Sequence, residues 1–299
     1  MDVLLEPLQY AFLQRAFAVT LVASVVCALL SCWLVLVGWS LMGDAVSHAV
    51  LPGVVLAYLA GVPFAVGALV FGVGAVALIG AVRDTTKLKE DTAIGVVFTT
   101  LFALGLVLVS VTPSQVDLSH ILFGNVLGVS RGDLLQVVAL GAGVVVVLLA
   151  RRRDLTMYAF DRAHAHAIGI SPRRLGALLL GLLAVTVVVA LQAVGVILVV
   201  AMLIIPGATA FLLTERIERM LVVAPVIAAT CSAVGFVVAY VVDASPAGMV
   251  VLAQGLVLGA VHVTTALRAR AGRRRGVASG ARAAAGRAAS AGPGGPSAA

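Results

Sequence analysis

Long stretches of the chain carry no Asp, Glu, Lys or Arg: residues 16–43, 45–82, 92–116, 134–150, 175–214, 220–242 and 244–267. A membrane-crossing helix needs about 20 mainly apolar residues. The shorter runs hold one such helix each. The run 175–214 holds two, with a tight turn near 192–195, and 14–82 holds three, broken near 38–43 and 61–63. The pattern predicts about nine spans: 14–37, 42–60, 64–82, 92–110, 132–150, 174–192, 195–213, 221–242 and 249–267. If 14–82 held only two, the count would fall to eight and the N-terminus would change sides. The expected fold is all-α, a polytopic transmembrane bundle over residues 1–267.

Composition agrees. Of 299 residues, 62% are hydrophobic and only 11% charged, against about 25% charged in a typical soluble domain. So few charges cannot cover a water-exposed surface, which excludes a soluble enzyme, a disordered protein and a nucleic-acid binder. The net charge of +7 does not reopen those classes, because residues 268–299 hold seven arginines and no acid. That segment is rich in Ala, Gly, Ser and Pro and reads as a disordered basic tail. With nine spans and the N-terminus outside, 18 of the 20 Lys and Arg residues fall on one side. Basic loops mark the cytoplasmic face, so the N-terminus is expected outside and the C-terminus in the cytoplasm. The start, with Asp2 and Glu6 in place of a basic cluster, does not read as a cleavable signal. Cys27, Cys32 and Cys231 all lie in apolar runs and read as small packing residues.

Within the apolar body, Gly43-Asp44-Ala45-Val46-Ser47-His48-Ala49-Val50-Leu51-Pro52-Gly53 stands out. Asp44 and His48 are four apart, so a helix puts them on one face. An ionisable residue inside a span is costly and faces a cavity or the bundle interior. A carboxylate with an imidazole can ligate a first-row divalent metal, or can be a structural hydrogen-bonded pair. Pro52-Gly53 then weakens the helix. Asp117 and His120, three apart, form a possible second pair at the outer mouth, for metal or for a partner protein.

The stretch 43–53 resembles the signature of the membrane permease of manganese/zinc/iron ABC importers. Three further segments resemble that family in order: Leu88-Lys89-Glu90-Asp91-Thr92-Ala93-Ile94-Gly95, Asp117-Leu118-Ser119-His120-Ile121-Leu122-Phe123-Gly124-Asn125, and 194–210 with its Pro206-Gly207. The resemblance covers roughly residues 5–267. It implies a bacterial cytoplasmic-membrane permease that forms a homodimer and pairs with cytoplasmic ABC ATPase subunits. An extracellular metal-binding protein would deliver the ion. Asp44 and His48 would line the metal path, one pair from each copy. The cargo would be Mn²⁺ first, with Zn²⁺ or Fe²⁺ as alternatives, and no cofactor would be held permanently. The segment 155–172, with Phe160, Asp161 and Gly169, resembles the element that couples such permeases to their ATPase. It departs from the family in lacking an acidic residue near 162–163, so the ATPase contact is expected to differ in detail. His164 and His166, two apart, do not face each other on a helix and read as exposed side chains.

No G-x-x-x-x-G-K-[ST] sequence occurs, so ATP hydrolysis is expected from a separate chain and not from this one. An intramembrane enzyme would want a span with H-E-x-x-H or a catalytic carboxylate, and no such motif occurs. Two other readings stay open: a stand-alone secondary transporter or channel, and an ABC permease for a metal chelate or vitamin.

Overall fold

The computed structural model describes residues 10–112 and 128–290. All regular structure among them is helical. The first part holds α1 (Ala11–Val37), α2 (Met42–Ala49), α3 (Leu51–Ala60), α4 (Phe64–Thr85) and α5 (Glu90–Val111). The second holds α6 (Arg131–Ala150), α7 (Arg152–Phe160), α8 (Arg162–Ala167), α9 (Pro172–Val194), α10 (Val196–Leu213), α11 (Ile217–Val242) and α12 (Pro246–Ser290). Among the described residues nine helical stretches are long and apolar enough to span a membrane, with α2 and α3 together forming one. The expected count is met. Ends differ by a few residues: α11 begins at Ile217 and takes in Glu218 and Arg219, because charged side chains are tolerated where a first turn leaves the apolar layer.

The backbone of α12 continues to Ser290, through residues whose composition reads as unstructured. Alanine and arginine are strong helix formers, which gives that stretch a local reason to extend the last span.

Two groups of helices organise the bundle. The long α1 packs on α10 and α11, and α12 closes against both of those. The second group is α2 to α5, in which α3 lies on α4 and α5. The helix α9 bridges the groups through α1, α2, α4 and α6. Trp33, Leu34, Leu183, Leu198 and Met202 fill the shared core. Lipid tails are as apolar as leucine, so these helices are held by close packing and hydrogen bonds more than by expulsion of water.

Two contacts show how. Gly53 of α3 lies against the carbonyl of Gly67 in α4, and each occupies space where the other could tolerate no Cβ. In α10, Pro206 lacks the N–H that a helix needs at that position. There the Ser31 hydroxyl of α1 donates to the Ile204 carbonyl (3.4 Å) and accepts from the Gly207 N–H (3.2 Å). Ser31 is fully buried, so α1 and α10 are tied by a hydrogen-bonded serine at the proline.

The turn between α9 and α10 is also unusual. Gly195 makes it with φ 82° and ψ 166°, and its neighbours Val194 and Val196 are buried. Non-helical backbone at membrane depth is tolerated where protein covers it or a cavity adjoins it.

Candidate metal centre

Asp44 and His48 lie on α2. The helix stops at Val50, and α3 starts with Pro52 in its first turn. Proline has no N–H to offer the His48 carbonyl four residues earlier, which accounts for the interruption directly beyond the histidine. The dihedrals at Val50 remain right-handed helical (φ −73°, ψ −22°), so the two pieces continue in nearly one direction.

The two side chains meet. His48 Nδ1 is 3.2 Å from Asp44 Oδ1 and 3.0 Å from the Asp44 backbone carbonyl. A carbonyl oxygen can only accept, so the proton sits on Nδ1, which donates to it. In the neutral ring the other nitrogen, Nε2, then carries the lone pair, the form in which imidazole binds a metal. A carboxylate on the far nitrogen of a histidine is the usual way that a metal-binding ring is oriented. The side chains are partly exposed, 24% for His48 and 35% for Asp44. Both are thus partly accessible, and His48 borders a small cavity.

Phe98 and Phe102 of α5 hold the ring from the side. Their centroids lie 5.4 and 5.3 Å from the His48 ring, at steep angles of 70° and 84°. The two phenyl rings stack on each other at 6.2 Å. One turn further on, Gly105 leaves room for Leu51, so α5 presents 98, 102 and 105 as one face to α2 and α3. Ser47, Leu191 and Val196 complete the small cavity beside His48, and the last two flank the buried Gly195 turn. The sequence reading did not pick out Phe98 and Phe102. Their i, i+4 spacing puts them on one face, but inside a wholly apolar span that spacing does not mark out any partner.

Among the described residues no group of three or more His, Cys, Asp and Glu gathers to hold a metal. One chain places the Asp44 carboxylate and the His48 ring together here as a pair. Asp117 and His120 lie outside the described residues. Phe160 ends α7 and is 64% exposed. Asp161 follows it, and its carboxylate accepts from the His164 N–H (2.8 Å) to cap the short α8. Gly169 takes φ 85° just beyond. Thus 155–172 forms two short helices with a capped corner between them. His164 and His166 are exposed on α8, and Asp133 closes a capping box with Ser130 at the start of α6.

Residues 9–264 match the ABC 3 transport family. The chain belongs to that family. Similar members include the manganese transport system membrane protein MntB of Synechocystis, 51% identical over 249 residues, 83% of this chain and 81% of that protein. A probable iron transport system membrane protein of Haemophilus influenzae is 49% identical over 253 residues, covering 85% and 93%. Among solved structures, PsaBC from Streptococcus pneumoniae in complex with Fab matches with a TM-score of 0.79 and 37% identity, over 86% of this chain and 94% of that one. This ABC 3 member thus has the all-helical, membrane-spanning architecture expected from its charge-free runs.

Proposed function

We propose that the chain is the permease subunit of a bacterial ABC importer that carries divalent transition metal ions across the cytoplasmic membrane. Mn²⁺ is the first cargo, with Zn²⁺ and Fe²⁺ next. The observation that carries this reading is the Asp44–His48 pair, one helical turn apart inside an apolar span. Its imidazole borders a small cavity. The relatives named for manganese and iron transport support the same cargo class.

Two donors make an incomplete coordination shell for Mn²⁺, Fe²⁺ or Zn²⁺. A second copy of the chain would supply the other carboxylate and imidazole, so the site lies between two permeases. The N-terminus is outside and the basic loops are inside, as the Lys/Arg bias requires. A binding protein outside releases the ion into the vestibule, and Asp117 and His120 form part of its outer mouth. A separate cytoplasmic ATPase docks on 155–172 and engages Phe160, Asp161 and Gly169. The capped corner at Asp161 makes that segment stiff enough to pass on a push. Weak, two-residue ligation from each side suits a pathway, since an ion held too well would not leave.

The test is uptake of radiolabelled Mn²⁺, Zn²⁺ and Fe²⁺ into proteoliposomes holding the complex, with and without its ATPase. Asp44→Ala and His48→Ala are each expected to abolish uptake while the complex still assembles. Wild-type uptake in either variant would overturn the site. Metal flux without ATPase or ATP would identify a stand-alone transporter instead.

A further inference from the structure

The turn that leads into α2 carries a second feature, at the opposite end of that helix from Pro52. Gly38 ends α1 with φ 85°, and its N–H donates to the Val35 carbonyl (3.2 Å). Glycine is the residue that takes this left-handed conformation without strain. Trp39 follows. Its N–H donates to the Leu34 carbonyl (2.7 Å), and its own carbonyl accepts from the Met42 N–H (3.0 Å). At the next step the Ala45 N–H donates to the Leu41 carbonyl (3.0 Å). The backbone is thus hydrogen-bonded from the end of α1 into α2, and Asp44 lies five positions beyond Trp39.

The Trp39 side chain reaches out of that turn into the 155–172 segment. Its buried ring meets the buried ring of Tyr158, on α7, edge to face, with centroids 6.2 Å apart and planes at 63°. Arg162, the first residue of α8, sets its guanidinium over both rings, 5.0 Å from the Tyr158 centroid and 5.9 Å from that of Trp39. Both distances lie within the ~6 Å at which an aromatic face attracts a cation. The helix α9 closes on the same rings at Gly176. A Cβ there would lie 2.9 Å from the Tyr158 hydroxyl and 3.6 Å from Trp39 Cη2. Tyr158 and Arg162 stand on either side of the capped corner at Asp161. One cation and two rings therefore join that corner to the turn that starts α2.

We propose that the Trp39–Tyr158–Arg162 stack is the joint through which the 155–172 segment moves α2, with Trp39 and Arg162 as positioning residues for the Asp44–His48 pair. The inference rests on the reading of 155–172 as the ATPase dock. A push on the corner at Asp161 displaces Tyr158 and Arg162 together, since both border it. Protein interiors are close-packed and pass strain on, so the Trp39 ring cannot stay behind while Tyr158 moves against it. The hydrogen-bonded turn then hands the displacement to α2 within five residues. This also gives a role to the departure from the family near 162–163. Arg162 holds the bundle side of the corner, while Phe160 is left exposed for the ATPase.

The experiment counts Mn²⁺ ions imported per ATP hydrolysed by the intact complex in proteoliposomes, with its ATPase and binding protein present. Trp39→Leu is expected to keep the ATPase bound and hydrolysing while the ratio falls about tenfold, through loss of both the ring pair and the cation contact. Trp39→Phe, which keeps a ring, should recover most of it. Arg162→Gln should lower the ratio about two- to fivefold, the factor that a cation on a ring is worth at an exposed site. Arg162→Lys, which keeps the charge, should restore it. A role in packing alone would lower uptake and hydrolysis together and leave the ratio unmoved, which would overturn the proposal. So would an equal fall in Arg162→Gln and Arg162→Lys, which would take the cation out of the joint. Arg162 is exposed, so its two variants decide the matter even if Trp39→Leu does not fold. A wild-type complex that hydrolyses ATP but moves no metal would overturn the transport reading and the joint with it. Normal import by the wild type with an unchanged ratio in the variants would overturn the joint alone.

Discussion

Replacing Gly53 by alanine tests the packing argument sharply. An added Cβ would overlap the Gly67 carbonyl oxygen, and would lie 2.7 Å from the Gly67 carbonyl carbon and 2.8 Å from Phe71 Cδ2. Carbon atoms pack best at about 3.5–4.0 Å, so α3 and α4 would have to part by about 1 Å. The obstruction is backbone, which cannot rotate aside. Overpacking of this kind costs about 1–3 kcal/mol, and here the upper end applies. Alanine recovers about 0.5–1 kcal/mol of helix preference over glycine. The net loss is then about 2 kcal/mol, a factor of roughly 30 in the folded-to-unfolded ratio. Gly74, on the same α4 helix, is the control, because a Cβ there meets nothing within 4 Å. Gly74→Ala should be neutral or stabilising by about 0.5–1 kcal/mol. Thermal unfolding of the purified complex, followed by fluorescence-detected size exclusion, should rank Gly53→Ala below wild type and Gly74→Ala at or above it. Equal midpoints for the two variants would refute the close-approach reasoning.

Other outcomes follow from the same contacts. Ser31→Ala removes the acceptor of the buried Gly207 N–H and should cost about 1–2 kcal/mol, read as a lower melting midpoint with the oligomer intact. Phe102→Ala frees one side of the His48 ring, and should raise the half-saturating metal concentration for uptake more than it lowers the maximal rate. Phe102→Tyr should restore it. Loss of rate alone would mean that the phenyl ring matters to folding and not to His48. The uptake losses expected of Asp44→Ala and His48→Ala complete the set.

The spans were legible in the sequence because a bilayer enforces a simple rule: about 20 residues with no charge. The turn near 192–195 and the pause at Pro52-Gly53 were legible for the same reason, since glycine and proline are the residues that interrupt a helix there. Asp44 and His48 were legible because an ionisable pair is conspicuous against an apolar run. The ring clamp was not. Phe98 and Phe102 are two apolar residues among many, and only the crossing of α5 over α2 makes them neighbours of His48. Ser31 was hidden likewise. Its partners are 173 and 176 residues away, and nothing local says that it bonds the backbone of another helix.

Consider the mechanical result of the two tight contacts. A crossing where backbone touches backbone, as at Gly53 and Gly67, transmits force without slack. A helix pair pinned by a buried serine, as α1 and α10 are, does the same. The bundle therefore divides into two stiff levers, one of α3 with α4 and the other of α1 with α10. Any large rearrangement must be taken up where a lever meets its neighbour through side chains alone. One such seam lies where Gly43 of α2 abuts the Leu203 side chain of α10, at the root of the turn that carries Asp44. The turn that carries Asp44 is thus mounted at a bearing surface, where a small angular change in either lever would be felt first.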